Sequence, residues 1–437
     1  MNKILGLAAG AAFAIAALDA QAADAALRSD VAADYRERLA ALFDHFHRNP
    51  ELSGLEVETS KRLAAEIRAL GYEVTEGVGG HGIVAVMRNG TGPTVMLRAD
   101  MDGLPVEEKS GLPNASTVRQ VDITGIEQPV MHACGHDVHM TALVGTARQL
   151  AARKSSWSGT LVLIGQPAEE RVGGARDMLA DGLYTRFPKP DYALGFHVWS
   201  TVAAGTIMVP QAIAMSSADS VDVVVHGVGA HGASPHRGID PVLVASQIVV
   251  SLQSLVSRSI DPLEAGIVTV GAIHGGTKHN IIGDRVDMQL TVRADNYETR
   301  EALLEGITRI AHGVARAHGV PEDKLPEVNL SKTETTPPTL NDEPTAQRIQ
   351  AALREQLGAA VVVPFRRDGM GAEDFAFYGA PEHGVKAVFM FVGGTPERDL
   401  PNAASHHSPL FKIAPEPAVK TGIEAMVLGA LELFAQR

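Results

Sequence analysis

Three short apolar runs in this chain each end abruptly in a cluster of carboxylates or imidazole. Thr94 to Ala99 runs into Asp100, Asp102 and Gly103; Gly159 to Gly165 runs into Gln166-Pro167-Ala168-Glu169-Glu170; Tyr192 to Phe196 runs into His197. Runs this short, rich in β-branched residues and closed by turn formers, read as buried strands. Helical spacing separates or flanks them: Val31 to Phe46, Val57 to Leu70 with a stop at Gly71, and a helix after Asp137 from about His139 to Ala152. Strands alternating with helices predict the α/β class, a catalytic domain whose central sheet is mostly parallel and flanked by helices. Polar clusters at the carboxyl ends of such strands fall where an open α/β sheet carries its site.

The pattern changes around Ser216. Ser220 to Val225 alternates like a strand, Asp240 to Arg258 reads as a helix with Pro241 in its first turn, and Ile267 to Ile273 and Arg285 to Arg293 are two more strands. A long helix, Tyr297 to His318, follows, and a strand near Val328 closes the unit. This β-α-β-β-α-β order predicts an inserted α+β domain over 215–330, splitting the catalytic domain into 23–214 and 331–437. Two or three domains also suit a chain of 437 residues.

Residues 1–22 read as a signal peptide. Lys3 gives a positive start, Ile4 to Leu18 a short apolar run, and Ala20-Gln21-Ala22 a small-residue cleavage position. The expected location is therefore exported, periplasmic or secreted; an uncleaved N-terminal anchor is the alternative. No later segment has about 18 unbroken apolar residues, so no membrane association is expected after cleavage. A net charge of −13 without a Lys/Arg stripe argues against a nucleic-acid partner.

Chemistry concentrates around the single cysteine, in Met131-His132-Ala133-Cys134-Gly135-His136-Asp137-Val138-His139. A thiolate and an imidazole two residues apart can face one metal when the backbone loops, and Gly135 permits the loop. Asp137 is placed to orient the His136 ring through its second N–H. A buried cysteine among surface histidines is the bland alternative. Glu169 and Glu170 in an extended segment would point opposite ways, one toward a metal and one toward a substrate proton; alone, such a pair is usually solvated surface. His197, taken singly, is better read as a core histidine than as a ligand, and His406-His407 as a loop pair. Together, one thiolate, three imidazoles and a carboxylate form a donor set for two borderline divalent cations such as Zn, Mn, Co or Ni, leaving a second carboxylate as base.

The order of motifs then carries a resemblance over nearly the whole mature chain. R-A-D-M-D-G-L-P lies at Arg98 to Pro105, H-A-C-G-H-D-x-H at His132 to His139, Q-P-A-E-E at Gln166 to Glu170 and G-F-H-V-W at Gly195 to Trp199. G-x-G-A-H-G-A-S-P-H at Gly227 to His236, G-A-E-D-F at Gly371 to Phe375 and H-S-P-x-F at His407 to Phe411 complete it. The chain resembles the amidohydrolase branch of the aminoacylase/carboxypeptidase metallopeptidases, which includes hippurate hydrolases and hydrolases of indole-acetyl amino acid conjugates. The resemblance implies Cys134, His136, Glu170, His197 and His407 as ligands of a dinuclear centre and Glu169 as general base. It implies that His231 supports the oxyanion in the active site of a partner subunit, that Asn280 and Arg293 contact substrate, and that the inserted domain is a lid and makes a homodimer. Asp100 is implied to lie behind the ligands. Val138, Met140 and Ser200 depart from the family's usual Gly, Thr and Pro, His406 competes with His407, and Gly111 to Gln128 matches nothing in the pattern.

The implied activity is cleavage of the amide bond of N-acyl amino acids by metal-activated water. A dipeptidase or carboxypeptidase on the same site is the alternative within enzymes. A non-catalytic exported peptide-binding protein and a cysteine hydrolase using Cys134 as nucleophile are rivals of other kinds.

Overall fold

The computed structural model describes residues 25–435; the expected signal peptide, residues 1–22, lies outside them. The chain divides into two compact units, the first running to Ala212 and including Asn341–Arg366 and Tyr378–Arg437, the second Ile213–Leu340 with Arg367–Phe377.

The first unit is built on a seven-stranded sheet. In chain order its strands are β1 (Glu73–Val78), β2 (Gly82–Asn89), β3 (Thr94–Asp100), β4 (Gly159–Gln166), β5 (Tyr192–Ala203), β6 (Ile207–Met208) and β7 (Lys386–Thr395). They lie side by side as β1-β2-β4-β3-β5-β7-β6. The four central strands are parallel, and β1, β2 and β6 are antiparallel to their neighbours. This is the mostly parallel α/β sheet that the apolar runs predict. Leu97, Leu163 and Leu194 are fully buried on it, each worth about 1.5–3 kcal/mol of burial.

Helices α1 (Ala40–Arg48), α2 (Val57–Arg68), α3 (His136–Ala152), α4 (Glu343–Leu357) and α5 (Pro415–Phe434) share one apolar core with the sheet. Helix α3 starts at His136, three residues earlier than its apolar pattern predicts, because Gly135 takes φ 85° and turns the chain directly into the helix. A β-carbon at Gly135 would meet Val198 at 2.3 Å, so only glycine lets this turn sit against β5.

Register places the chemistry. Asp100 pairs with Gln166 and Arg98 with Gly195. The carboxyl ends of β3 and β4, the residues following them, and the middle of β5, where His197 lies, therefore meet at one end of the sheet's central strands, beside the start of α3.

The second unit has a four-stranded antiparallel sheet in the order Gly266–Gly275, Arg285–Ala294, Ala218–His226, Glu327–Thr336. Val221, Val223 and Val225 alternate inward and share a core with Val244, Ile248 and Leu252 of helix Pro241–Ser254 and Leu303 and Ile307 of helix Tyr297–Ala317. Asp240 and Asn296 cap these helices by accepting from Val242 and Thr299 backbone N–H groups. The unit extends past the expected 215–330. Thr339–Leu340 pairs with Ile213–Met215, the Ser216 N–H donates to the Gly371 carbonyl at 2.8 Å, and Arg367 bonds Asp295 at 2.8 Å.

Candidate metal centre

Cys134, in the turn before α3, sits 8% exposed with its Sγ 3.3 Å from Nε2 of His197, which lies in the middle of β5 because the strand runs on to Ala203 rather than stopping at the histidine as its apolar run predicts. The ligand atoms of Cys134, His136 and His197 all lie within 4.8 Å of one another, and so do those of Cys134, Glu170 and His407. Two overlapping triads with Cys134 in both provide donors for two cations rather than one.

Each donor is held by a separate device. His197 donates from Nδ1 to the Val198 carbonyl at 2.6 Å, which leaves Nε2 as the donor atom toward Cys134. His407 takes φ 65°, outside the region normal for a residue with a side chain, and its N–H is pinned to the Ala133 carbonyl at 2.9 Å. Its Nε2 lies 3.3 Å from Glu170 Oε2. His406 turns away, bonding the Val198 carbonyl at 3.0 Å and lying 4.7 Å from the Trp199 ring; of the two adjacent histidines, His407 joins the donor group.

The expectation for Asp137 fails. Asp137 Oδ2 bonds His47 Nδ1 at 2.7 Å instead of orienting His136, since adjacent residues in a helix face different directions. Asp102, two residues past the end of β3, stands by His136: its Oδ1 lies 3.2 Å from Nδ1, off the line of a hydrogen bond. Asp102 Oδ2 accepts from Ser53 Oγ at 2.6 Å and from the Glu170 N–H at 3.0 Å. One carboxylate thus neighbours a histidine donor and fixes the backbone of a carboxylate donor.

Glu169 and Glu170 also differ from expectation. They lie in a short 3-10 turn, Glu169–Arg171, rather than an extended segment. His136 Nε2 is consequently close to both, 3.8 Å from Glu169 Oε2 and 3.9 Å from Glu170 Oε1. Ala168 and Val172 bracket the turn with φ of 51° and 48°. Among the described residues, these two and His407 are the non-glycine residues with positive φ, and all three flank or carry the donor group. Strain concentrated this way marks a site whose geometry is imposed by its surroundings.

The electrostatics call for positive charge. Burial works against a charged His136, but Asp100, Asp102 and Glu170 outweigh it and push its pKa up to about 10. Burial, with Glu170, Glu169 and Asp100, pushes the Cys134 thiol well above its ordinary value. Both ring nitrogens of His136 and Oε1 of Glu170 are buried without a hydrogen-bond partner. Donor atoms of sulfur, nitrogen and oxygen, gathered in an acidic environment with those of His136 and Glu170 Oε1 unpartnered, fit divalent cations, whose charge makes the thiolate stable. Asp100 is otherwise engaged: Oδ1 with His139 Nδ1 and Oδ2 with Arg98, both at 2.6 Å.

His231, Asn280 and Arg293 lie in the second unit. Strand pairing sets His231 opposite Ile281, and the Gly232 N–H donates to the Asn280 carbonyl at 2.9 Å, so the first two are neighbours and both are exposed. Arg293 sits apart on Arg285–Ala294, 3.4 Å from the Met370 carbonyl. The residues that motif reading left without a role are Asp102, His47, His139 and Glu56. His139 accepts the Val198 N–H at 2.9 Å beside His197; its place in the H-A-C-G-H-D-x-H motif was the available signal.

The family described as peptidase family M20/M25/M40 matches residues 96–431. A hippurate hydrolase of Campylobacter jejuni is 36% identical over 76% of this chain and 82% of its own length. An N-acetyl-L-cysteine deacetylase of Bacillus subtilis is 33% identical over 88% of this chain and 85% of its own. Among solved structures, a dinuclear metal binding peptidase of the M20 family from Bacillus subtilis superposes with a TM-score of 0.73, is 28% identical and covers 91% of this chain and 99% of its own.

Proposed function

We propose, for a chain that belongs to peptidase family M20/M25/M40 and is therefore a metal-dependent hydrolase, that its substrates are N-acyl amino acids. Cys134, His136, Glu170, His197 and His407 hold two divalent cations, drawn from Zn, Mn, Co or Ni by the mixed donor set. When bound, the cations supply Lewis acidity that acidifies water and polarises a carbonyl. Glu169 takes the proton from the attacking water and returns it to the leaving nitrogen, so that the amide is released as a carboxylic acid and an amine. The observation that carries this reading is a second carboxylate, Glu169, 3.8 Å from Nε2 of His136 and adjacent in the same turn to Glu170, the carboxylate grouped with Cys134 and His407.

The substrate class rests on the two relatives. Hippurate is N-benzoylglycine, and the second relative's name is that of an N-acetyl amino acid deacetylase. A panel of N-benzoyl, N-acetyl and dipeptide substrates, run with each candidate metal, tests it: faster turnover of the acyl amino acids supports the reading, and dipeptides cleaved faster than all of them replace it with a dipeptidase.

Three further parts of the reading go with this. The Lys3 to Ala22 segment supports export. Val250 on helix Pro241–Ser254 is 73% exposed and Ile273, on the edge strand of the second sheet, 48%, and apolar side chains exposed on this unit support a homodimer formed through it. His231 then serves the oxyanion in the partner subunit's site, with Asn280 and Arg293 contacting substrate.

A further inference from the structure

Glu56 stands at the position preceding α2, which favours Ser, Thr, Asp or Asn, and its side chain caps nothing there. Glu51 does that work, accepting the Glu58 and Thr59 N–H groups at 3.2 and 2.8 Å. The Glu56 carboxylate is instead fully buried and reaches a distant segment. Oε1 accepts two backbone N–H groups, from Gly54 at 2.9 Å and from Ala168 at 2.8 Å. Oε2 is buried with no hydrogen-bond partner.

Ala168 is the residue in left-handed conformation that immediately precedes Glu169, with φ 51° and ψ 40°. Two residues further on, the Glu170 N–H is held by Asp102. Two buried carboxylates from different parts of the chain therefore hold the amides on either side of Glu169. An alanine leaves the left-handed region readily when nothing holds its N–H, and the side chain after it swings with the backbone.

The geometry points to Glu56 as a positioning residue for Glu169: its bond to the Ala168 N–H keeps the turn strained so that the Glu169 carboxylate stays beside His136. This rests on the reading of Glu169 as the general base. The hydrogen bonds of Glu56 go to backbone N–H groups and to none of the donor side chains, so it acts through the backbone. Burial, with Asp102 nearby, pushes the Glu56 pKa up to about 8, so holding this group against Gly54 and, across 112 residues of sequence, Ala168 is otherwise a costly way to tie down a turn.

Glutamine separates positioning from charge, since its side-chain carbonyl accepts the same two N–H groups. Glu56→Ala, Glu56→Gln and Glu56→Asp are compared with the wild type on N-benzoylglycine, or the best substrate of the panel, with bound metal measured on each. Displacing a catalytic group by about an ångström costs up to ~100-fold, so Glu56→Ala is expected to lose at least about tenfold in kcat with KM within about twofold and two metals per chain retained. Glu56→Gln is expected to recover to within about threefold of wild type, the range left for a small change in the same geometry. Glu56→Asp, one methylene short of Ala168, is expected to behave like the alanine variant and serves if that variant does not fold. Wild-type kcat in Glu56→Ala or Glu56→Asp, or a Glu56→Gln as impaired as Glu56→Ala, overturns the assignment. A Glu169→Ala control distinguishes the two failures: a silent control beside an unaffected Glu56→Ala removes only the positioning role, whereas an active control removes Glu169 as base.

Discussion

The thiol of Cys134 and Nε2 of His197, 63 residues apart in sequence, face each other at 3.3 Å. Nothing local brings them together. The Gly135 turn delivers the first and the middle of β5 the second, and the approach happens where burial, and then the carboxylates of Glu170, Glu169 and Asp100, oppose ionisation of the thiol. A cysteine set there is suited to a cation and poorly suited to act as a nucleophile, which requires a thiolate stabilised without one. This argues against the cysteine-hydrolase alternative.

Because Cys134 belongs to both donor triads, Cys134→Ala is expected to lower bound metal below two per chain and to reduce amide hydrolysis by at least ~100-fold. Elemental analysis of the purified variant beside an activity assay checks both. Full metal occupancy in the variant would show that the sulfur is not a ligand.

Glu169→Ala has a different signature. Acid–base catalysis typically contributes about 100- to 10,000-fold, so turnover is expected to fall by at least ~100-fold while metal content stays at the wild-type value. Near-normal rates would remove Glu169 from the mechanism.

Asp102 lies against His136 and holds the Glu170 amide. Partners of this kind are worth about 10- to 100-fold in metal affinity. Asp102→Asn is expected to weaken binding by that range in a chelator competition, with two sites still filled at saturating metal. An unchanged affinity would show that Asp102 only supports the loop.

His47 makes stability depend on pH. Burial disfavours its charged form, but Asp137 and Glu108 outweigh burial and push its pKa up to about 10. A histidine raised in the folded state is charged there and neutral once unfolded near pH 7, so its contribution is complete below its ordinary pKa of about 6.5 and is lost as pH rises through about 10. His47→Gln is therefore expected to cost roughly 3 kcal/mol near pH 6, with the gap to wild type closing by about pH 10. Denaturant melts of both proteins across that range check it, and a gap independent of pH would contradict it.

Much of this was legible in the chain. Apolar runs ending before Asp100, Glu169 and His197 locate the active end of the sheet because strand burial is a local signal, but only the first two runs mark strand ends; β5 continues past His197 to Ala203, held there by pairing with β7. What local patterns could not supply were the contacts made across the sheet. Asp137 is adjacent to His136 in sequence, yet Asp102 is the carboxylate beside its ring. The turn holding Glu169 and Glu170 was unreadable for the same reason: Ala168 and Val172 have no intrinsic preference for positive φ, and the groups that impose it on Ala168, Glu56 above all, lie more than a hundred residues away. The outer limits of the second unit, at Leu340 and over Arg367–Phe377, likewise depend on pairings between distant segments.

The most direct test is a metal titration of chelator-stripped protein, following bound metal and amide hydrolysis together. Two equivalents bound per chain, with hydrolysis absent in the stripped protein and restored as both sites fill, is the predicted result. Hydrolysis that persists after complete removal of metal would contradict the account.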